Sequence, residues 1–182
     1  PVLELLQLEH DVSTVLEEHG QRFTLKGTID RLDRREQGLV ILDYKSGNTG
    51  RQPHASFWND ERLWDALRVW RPGLADPLPE LAAALPSIQL PAYLYLCNND
   101  PRNADALRRA PLFDASLVQL ADRGEELPLL GSRIDEDTRA FIMKERIPAL
   151  LRFVLRHMSL SEGFAPRRTE RCDHCPYRSC CR

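Results

Sequence analysis

An aspartate set inside an apolar run is the most demanding feature of this sequence. Residues 39–45 read LVILDYK, with Asp43 following four aliphatic residues and preceding Tyr44 and Lys45. A carboxylate buried in such a strand is costly unless a cation or hydrogen-bond donors meet it. Residues two apart in a strand point to the same face, so Asp43 and Lys45 share a face and Tyr44 points away. The preceding run, 21–32, alternates in part through Phe23, Leu25 and Ile29 and delivers a second carboxylate, Asp30, near its end. Residues 34–38 between the runs read as a turn. Segment 24–45 (TLKGTIDRLDRREQGLVILDYK) is therefore a strand pair that brings Asp30, Asp43 and Lys45 toward one spot. Two carboxylates and an ammonium are the minimum set for metal-dependent phosphodiester hydrolysis. The carboxylates hold Mg²⁺, and the lysine stabilises charge or orients the attacking water. Taken singly, Asp30 reads equally as a salt-bridge partner of Arg31 or Arg34, Asp43 as a turn cap and Lys45 as a solvated strand end.

The rest of the chain supplies partners for that pair. Residues 2–9 (VLELLQLE) read as a short strand or the tail of a helix, and 11–20 as a more polar turn or hairpin approach. Gly27 inside the first strand marks a bulge or a close backbone approach. Gly47, Asn48 and Gly50 stop the second. A helix is expected over 59–70, and Pro72, Pro77, Pro79 and Pro86 break up the stretch after it. Trp58, Trp64 and Trp70 read as packing residues before they read as a base-stacking platform. Residues 87–97 (SIQLPAYLYLC) read as a helix with Ser87 as cap and Pro91 in its first turn. Gln89 and Tyr93, four apart, lie on one face of it. Residues 98–104 read as a turn, 115–121 as a strand and 125–130 as its returning partner. From 135 to 158 the pattern is helical. Ile147, Leu150, Leu151, Val154, Leu155 and Met158 form a core stripe, and Pro148 marks a kink or a junction between two helices.

The chain of 182 residues has room for one compact domain. It begins with proline, which reads as a piece of a longer protein. No run approaches the roughly 18 apolar residues of a membrane span, and no signal peptide is visible. A net charge of −2 argues against a generally sticky basic protein but leaves room for a local basic strip against nucleic acid. Such groups are Arg102, Arg108 and Arg109, and, near the end, Arg167, Arg168, Arg171, Arg178 and Arg182. They read equally as phosphate contacts and as solvated faces with acidic partners. Of five cysteines, Cys97 stands alone, while Cys172, Cys175, Cys180 and Cys181 crowd the last eleven residues. An odd count bunched at one end does not suit a secreted disulfide framework. It suits a metal or cluster site in a cytoplasmic protein. Cys172 and Cys175 have the C-x-x-C spacing that lets two thiolates reach one metal from a tight turn.

The stretches GTIDRLDR, LVILDYKSG and QLPAY resemble the G-x-IDR-x-D, DYK-[ST]-G and Q-x-x-x-Y motifs of the PD-(D/E)XK nucleases. Within that superfamily they are most similar to the RecB-like branch, which includes RecB and AddB-type helicase–nucleases and CRISPR-associated exonucleases. The resemblance runs from about Glu9 to Arg182. It implies that Asp30 and Asp43 ligate the metal with the Tyr44 carbonyl as a further ligand, and that Lys45 is the catalytic lysine. It also implies that Gln89 positions Lys45 or the nucleophilic water and that Tyr93 contacts DNA. Glu9 resembles, loosely, a strand glutamate of the branch. His10 and His19 do not fit the position of its upstream helical histidine, which implies that this helix is missing from the chain. For the tail, the resemblance implies a [4Fe–4S] cluster on Cys172, Cys175 and Cys181, with the fourth ligand before Pro1. Cys180 is a poor fourth ligand, and Cys97 reads as core. Zn²⁺ completed by His174 or Cys180 is the alternative.

The combined expectation is one α/β domain of the restriction-endonuclease type over 1–182, a mixed sheet flanked by helices, with 165–182 a cysteine-rich tail. Its expected activity is Mg²⁺- or Mn²⁺-dependent hydrolysis of DNA, as single strands or duplex ends, beside a helicase domain or subunit and away from any membrane. A non-catalytic DNA-binding module and an assembly domain docked through a metal tail are the competing readings.

Overall fold

A computed structural model describes residues 2–47, 52–161 and 175 of the chain. Two long antiparallel strands come first, β1 (Val2–Glu18) and β2 (Gln21–Arg35). They are joined by a two-residue turn in which His19 (φ 49°) and Gly20 (φ 72°) both take left-handed backbone, as tight hairpins require. The acidic stretch 11–18 is therefore strand, not a turn approach. Asp11 and Glu17 lie on the exposed side, while Val12 and Leu16 are buried and Glu18 is buried against Arg152 and Arg156. Strand β3 (Gly38–Lys45) pairs antiparallel with β2 after a turn at 36–37. Gly38 (φ 139°) fits here because a Cβ would lie 2.4 Å from the Pro111 carbonyl oxygen.

Because β3 next pairs in parallel with β4, a long crossover is needed. It contains α1 (Ala55–Trp58), α2 (Glu61–Val69), α3 (Leu78–Ala84), α4 (Gln89–Asn99) and α5 (Ala104–Arg109). Three of these fall where the sequence suggests none, the first being α1, ahead of the helix expected over 59–70. Pro77 and Pro79 flank the start of α3, where proline fits a helix. The turn expected over 98–104 is instead the end of α4 and a 3₁₀ turn at Pro101–Asn103, and α5 follows it. Strand β4 (Leu112–Gln119) and the short β5 (Glu125–Pro128) complete a mixed five-stranded sheet in the order β1–β2–β3–β4–β5. The chain ends its described part with α6 (Glu136–Phe141), a π-helical turn at Ile142–Arg146, and α7 (Ile147–Leu160). Of the two expectations for Pro148 the junction holds: a π turn joins α6 to α7, and Pro148 sits in the first turn of α7.

One face of the sheet carries most of the core. Leu39 and Ile41 of β3 pack there with Ile29 and Leu32 of β2 and with α2, α4 and α7. Trp58, Trp64 and Trp70 are all buried in this layer, and Trp58 stacks on Trp64 at 5.9 Å. Met158 is the exception to the α7 stripe, being 60 % exposed. On the other face, Val40, Leu42 and Val118 form a small separate cluster with Phe113. Among the described residues, no helix is long and apolar enough to cross a membrane. The arrangement is the α/β fold of restriction-endonuclease type, a mixed sheet flanked by helices.

Candidate active site

The site forms where β2 and β3 separate. Their ladder runs from Arg35–Gly38 to Arg31–Leu42 and ends there, while β3 continues alongside β4 as far as Lys45–Gln119. Beyond the end of the ladder the N–H of Tyr44 needs a partner. The Asp30 carboxylate supplies it, with Oδ2 accepting from Tyr44 N at 2.7 Å. Asp30 thus takes the place of a strand carbonyl, which ties it to the residue after Asp43.

Asp43 follows Leu39 and Ile41 on the helix-covered face and is only 2 % exposed. Its Oδ2 lies 2.7 Å from Lys45 Nζ, and its Oδ1 accepts from Gln89 Nε2 at 2.9 Å. The same Gln89 nitrogen donates to Tyr93 Oη at 3.0 Å. Gln89 is the first residue of α4, whose leading N–H is accepted by Ser87 Oγ at 3.2 Å. Gly27 sets how close that helix comes to the sheet. A Cβ there would be 3.0 Å from Tyr93 Cε1 and 3.2 Å from Leu96 Cδ1. Gly27 is therefore a point of close approach, and the bulges of the β1–β2 pair lie in β1, between Val2 and Glu4 and between Leu5 and Gln7.

Burial pushes the Asp43 carboxyl above its ordinary pKa, Lys45 pulls it down, and the charge of Asp30 pushes it up again. Lys45 answers the charge of the buried Asp43, and the half-buried Asp30 adds a second negative charge that leaves this corner short of positive charge. A divalent cation balances such a corner, and all-oxygen ligation by one or two carboxylates, completed by water and phosphate, is how Mg²⁺ is commonly held. Among the described residues, no group of three or more His, Cys, Asp or Glu side chains is placed to hold a metal. What the chain offers a cation here is the pair Asp30 and Asp43.

Other candidate residues lie elsewhere. Glu9 has left-handed backbone (φ 46°) and an exposed side chain, level with Asp30 between the Leu8–Arg31 and His10–Ile29 pairs. His10 is bonded to Asn103 at 3.2 Å, and His19 is in the first turn. Cys97 is core, with burial pushing its thiol up to about 12. Arg102 is paired with Asp100 and Arg108 with Asp105. Cys175 is partly exposed. Cys172, Cys180, Cys181, His174 and the arginines from Arg167 onward, including Arg168, Arg171, Arg178 and Arg182, lie outside the described residues.

Arg31 and Asp33 are the residues near the site whose role the motif reading does not assign. Arg31 pairs with Asp33, not with Asp30: Nε donates to Asp33 Oδ1 at 2.7 Å. The i, i+2 spacing in RLD is the available signal, since it puts both side chains on one strand face.

A carboxylate pair and a lysine at the separating ends of two strands define a class of site suited to phosphodiester chemistry. A family model described as the PD-(D/E)XK nuclease superfamily matches residues 2–182, and the chain belongs to that superfamily. A comparison with curated proteins returned no match.

Proposed function

We propose that this chain hydrolyses phosphodiester bonds of DNA with Mg²⁺ or Mn²⁺ held by Asp30 and Asp43, together with the carbonyl of Tyr44. The observation that carries the proposal is the placement of Asp43. It is almost fully buried, beside a second carboxylate, and reached by both Lys45 and Gln89. A structural acid has no need of a second negative charge next to it. When bound, the cation supplies a Lewis acid and lowers the pKa of its water. The chain's own residues do the rest. Lys45, about one-third exposed, carries the positive charge that meets the scissile phosphate. Gln89 fixes the Asp43 carboxylate through Oδ1, and Tyr93 fixes Gln89. Water adds to phosphorus in line, giving up a proton to solvent, as the bond to the leaving 3′ oxygen breaks and that oxygen takes up a proton to leave as a hydroxyl.

The resemblance of the motifs to the RecB-like branch supports a role in DNA end processing beside a helicase. The spacing of Cys172, Cys175 and Cys181 supports a [4Fe–4S] cluster in the tail. Iron content and visible absorbance of protein prepared without oxygen check the cluster, and a colourless zinc-containing sample removes it.

The test of the activity is cleavage of labelled single-stranded DNA with and without Mg²⁺. Lys45→Ala is expected to slow cleavage by about 10²–10³-fold, the cost of removing one preorganised group that stabilises transition-state charge. Asp43→Ala is expected to abolish both cleavage and Mn²⁺ binding. An unchanged rate for Lys45→Ala overturns the catalytic assignment, and unchanged Mn²⁺ affinity for Asp43→Ala overturns its ligand role.

A further inference from the structure

The two carboxylates sit on strands that have just lost their mutual ladder, so backbone pairing alone does not set the distance between them. On the site face, the bond from Tyr44 N to Asp30 crosses the gap. On the opposite face a second bond crosses the same gap. Arg31 Nη1 donates to Tyr44 Oη at 3.3 Å. Arg31 directly follows Asp30 and Tyr44 directly follows Asp43, so this second bond lies behind the two carboxylates.

That crossing is anchored from behind. Asp33 is completely buried, and it accepts from Arg31 Nε at 2.7 Å while lying 3.6 Å from Arg35 Nη2. Arg35 in turn forms a two-pronged pair with Glu126 of β5 at 2.8 and 2.9 Å. A chain of charge thus runs under the sheet from Tyr44 through Arg31, Asp33 and Arg35 to Glu126. A guanidinium has a flat, rigid set of donors and holds two acceptors in fixed geometry, which an ammonium cannot do. A buried aspartate between two arginines is expensive to disturb, so Arg31 is held firmly in place.

Resting on the nuclease reading above, we infer that Arg31, braced by Asp33 and bonded to the Tyr44 hydroxyl, is a positioning residue that fixes the separation of Asp30 and Asp43 for the divalent cation. It acts from the face opposite the reacting atoms and touches neither carboxylate nor phosphate. Its influence is that of an outer partner that orients ligands and tunes affinity for the ion.

The experiment is calorimetric titration of the full chain with Mn²⁺, alongside melting curves, for wild type, Arg31→Lys, Tyr44→Phe and the double variant. Tyr44→Phe keeps the ring and the backbone and removes only the hydroxyl. Arg31→Lys is expected to weaken Mn²⁺ binding about tenfold, and Tyr44→Phe by less, with melting close to wild type. The double variant is expected to bind no more weakly than Arg31→Lys, because both changes break the same bond. Mn²⁺ affinities that match wild type in both single variants overturn the brace alone. So does a double variant in which the two losses simply add. If Arg31→Lys fails to fold, Tyr44→Phe decides: unchanged affinity overturns the inference and weakened affinity supports it. Wild-type protein that binds no Mn²⁺ overturns the nuclease reading, and the brace with it.

Discussion

Asp43 and Asp100 are both 2 % exposed and both lie against a cation, yet their environments drive them in opposite directions. Asp100 caps the turn after α4. The Arg102 side chain, Ser13 N–H and Arg102 N–H all donate to it, and they hold its carboxyl well below the usual range despite burial. Asp43 receives one ammonium and one amide, and it faces another carboxylate. Burial wins there and its pKa rises. One aspartate is satisfied by the fold itself. The other is left short of positive charge, as expected where the missing charge arrives with a ligand.

The largest effect expected from this contrast falls on Asp100. Asp100→Ala strips the partner from two backbone N–H groups and from Arg102, and should cost about 2 kcal/mol, the scale of hydrogen bonds to a charged group. For a chain of this size that is a fall of roughly 4–8 °C in melting temperature. The folded-state pKa of Asp100 lies below its unfolded value. Its stabilisation is therefore full above about pH 4 and is lost as pH falls further. Melting curves of wild type and variant should stay a constant distance apart from pH 8 to about 5 and converge below about 4. A gap that does not narrow in acid would remove the charged bonds as its cause.

The site aspartate should behave in reverse. Its folded pKa is raised, so in metal-free protein the charged form costs stability at neutral pH, and that cost fades as pH falls toward the unfolded value of about 3.9. Asp43→Asn should therefore melt higher than wild type by an amount on the order of 1 kcal/mol in the presence of a chelator at pH 7. The advantage should shrink on acidification and vanish or invert when Mn²⁺ is supplied. A variant that melts lower than wild type without metal would show that Lys45 already satisfies Asp43, and the contrast would collapse.

The two aspartates also differ in how readily the sequence shows them. Asp43 stands out because it interrupts LVILDYK, where an apolar strand makes any carboxylate conspicuous. Gln89 and Tyr93 emerge from helical spacing, since α4 is long enough for the i, i+4 rule to apply. Asp100 hides in CNNDPRN, a stretch that reads as an open turn. Its sign is an aspartate before a proline, which caps the short 3₁₀ helix beyond it. Its partner Ser13 is 87 residues away, and no local pattern contains that pairing. β1 is longer than its hydropathy suggests because it is an edge strand with one exposed side, where Glu17 and Asp11 cost nothing. Met158 is exposed because the covered face of the last turns of α7 runs through Phe153 and His157, which pack on Trp70, and leaves 158 pointing away. The split between β2 and β3 is the least legible feature. It depends on where a ladder stops, and residues 29–32 read as the uninterrupted end of a strand.

The smallest expected effect separates the two aspartates most sharply, because it reaches one and not the other. Gly27→Ala adds a methyl group 3.0 Å from the Tyr93 ring, so the ring must yield by a few tenths of an ångström. Strand backbone tolerates alanine better than glycine by roughly 0.5–1 kcal/mol, which offsets much of the packing cost. Melting should move by no more than about 1 kcal/mol in either direction. Tyr93 holds Gln89, and Gln89 holds Asp43, so the disturbance should appear at the site as a few-fold slower cleavage. The acid limb of stability set by Asp100 should be unchanged. Geometry at a reacting centre is far less forgiving than geometry in a core. A Gly27→Ala protein that loses several degrees of melting temperature yet cleaves at the wild-type rate would show that this close approach serves packing alone.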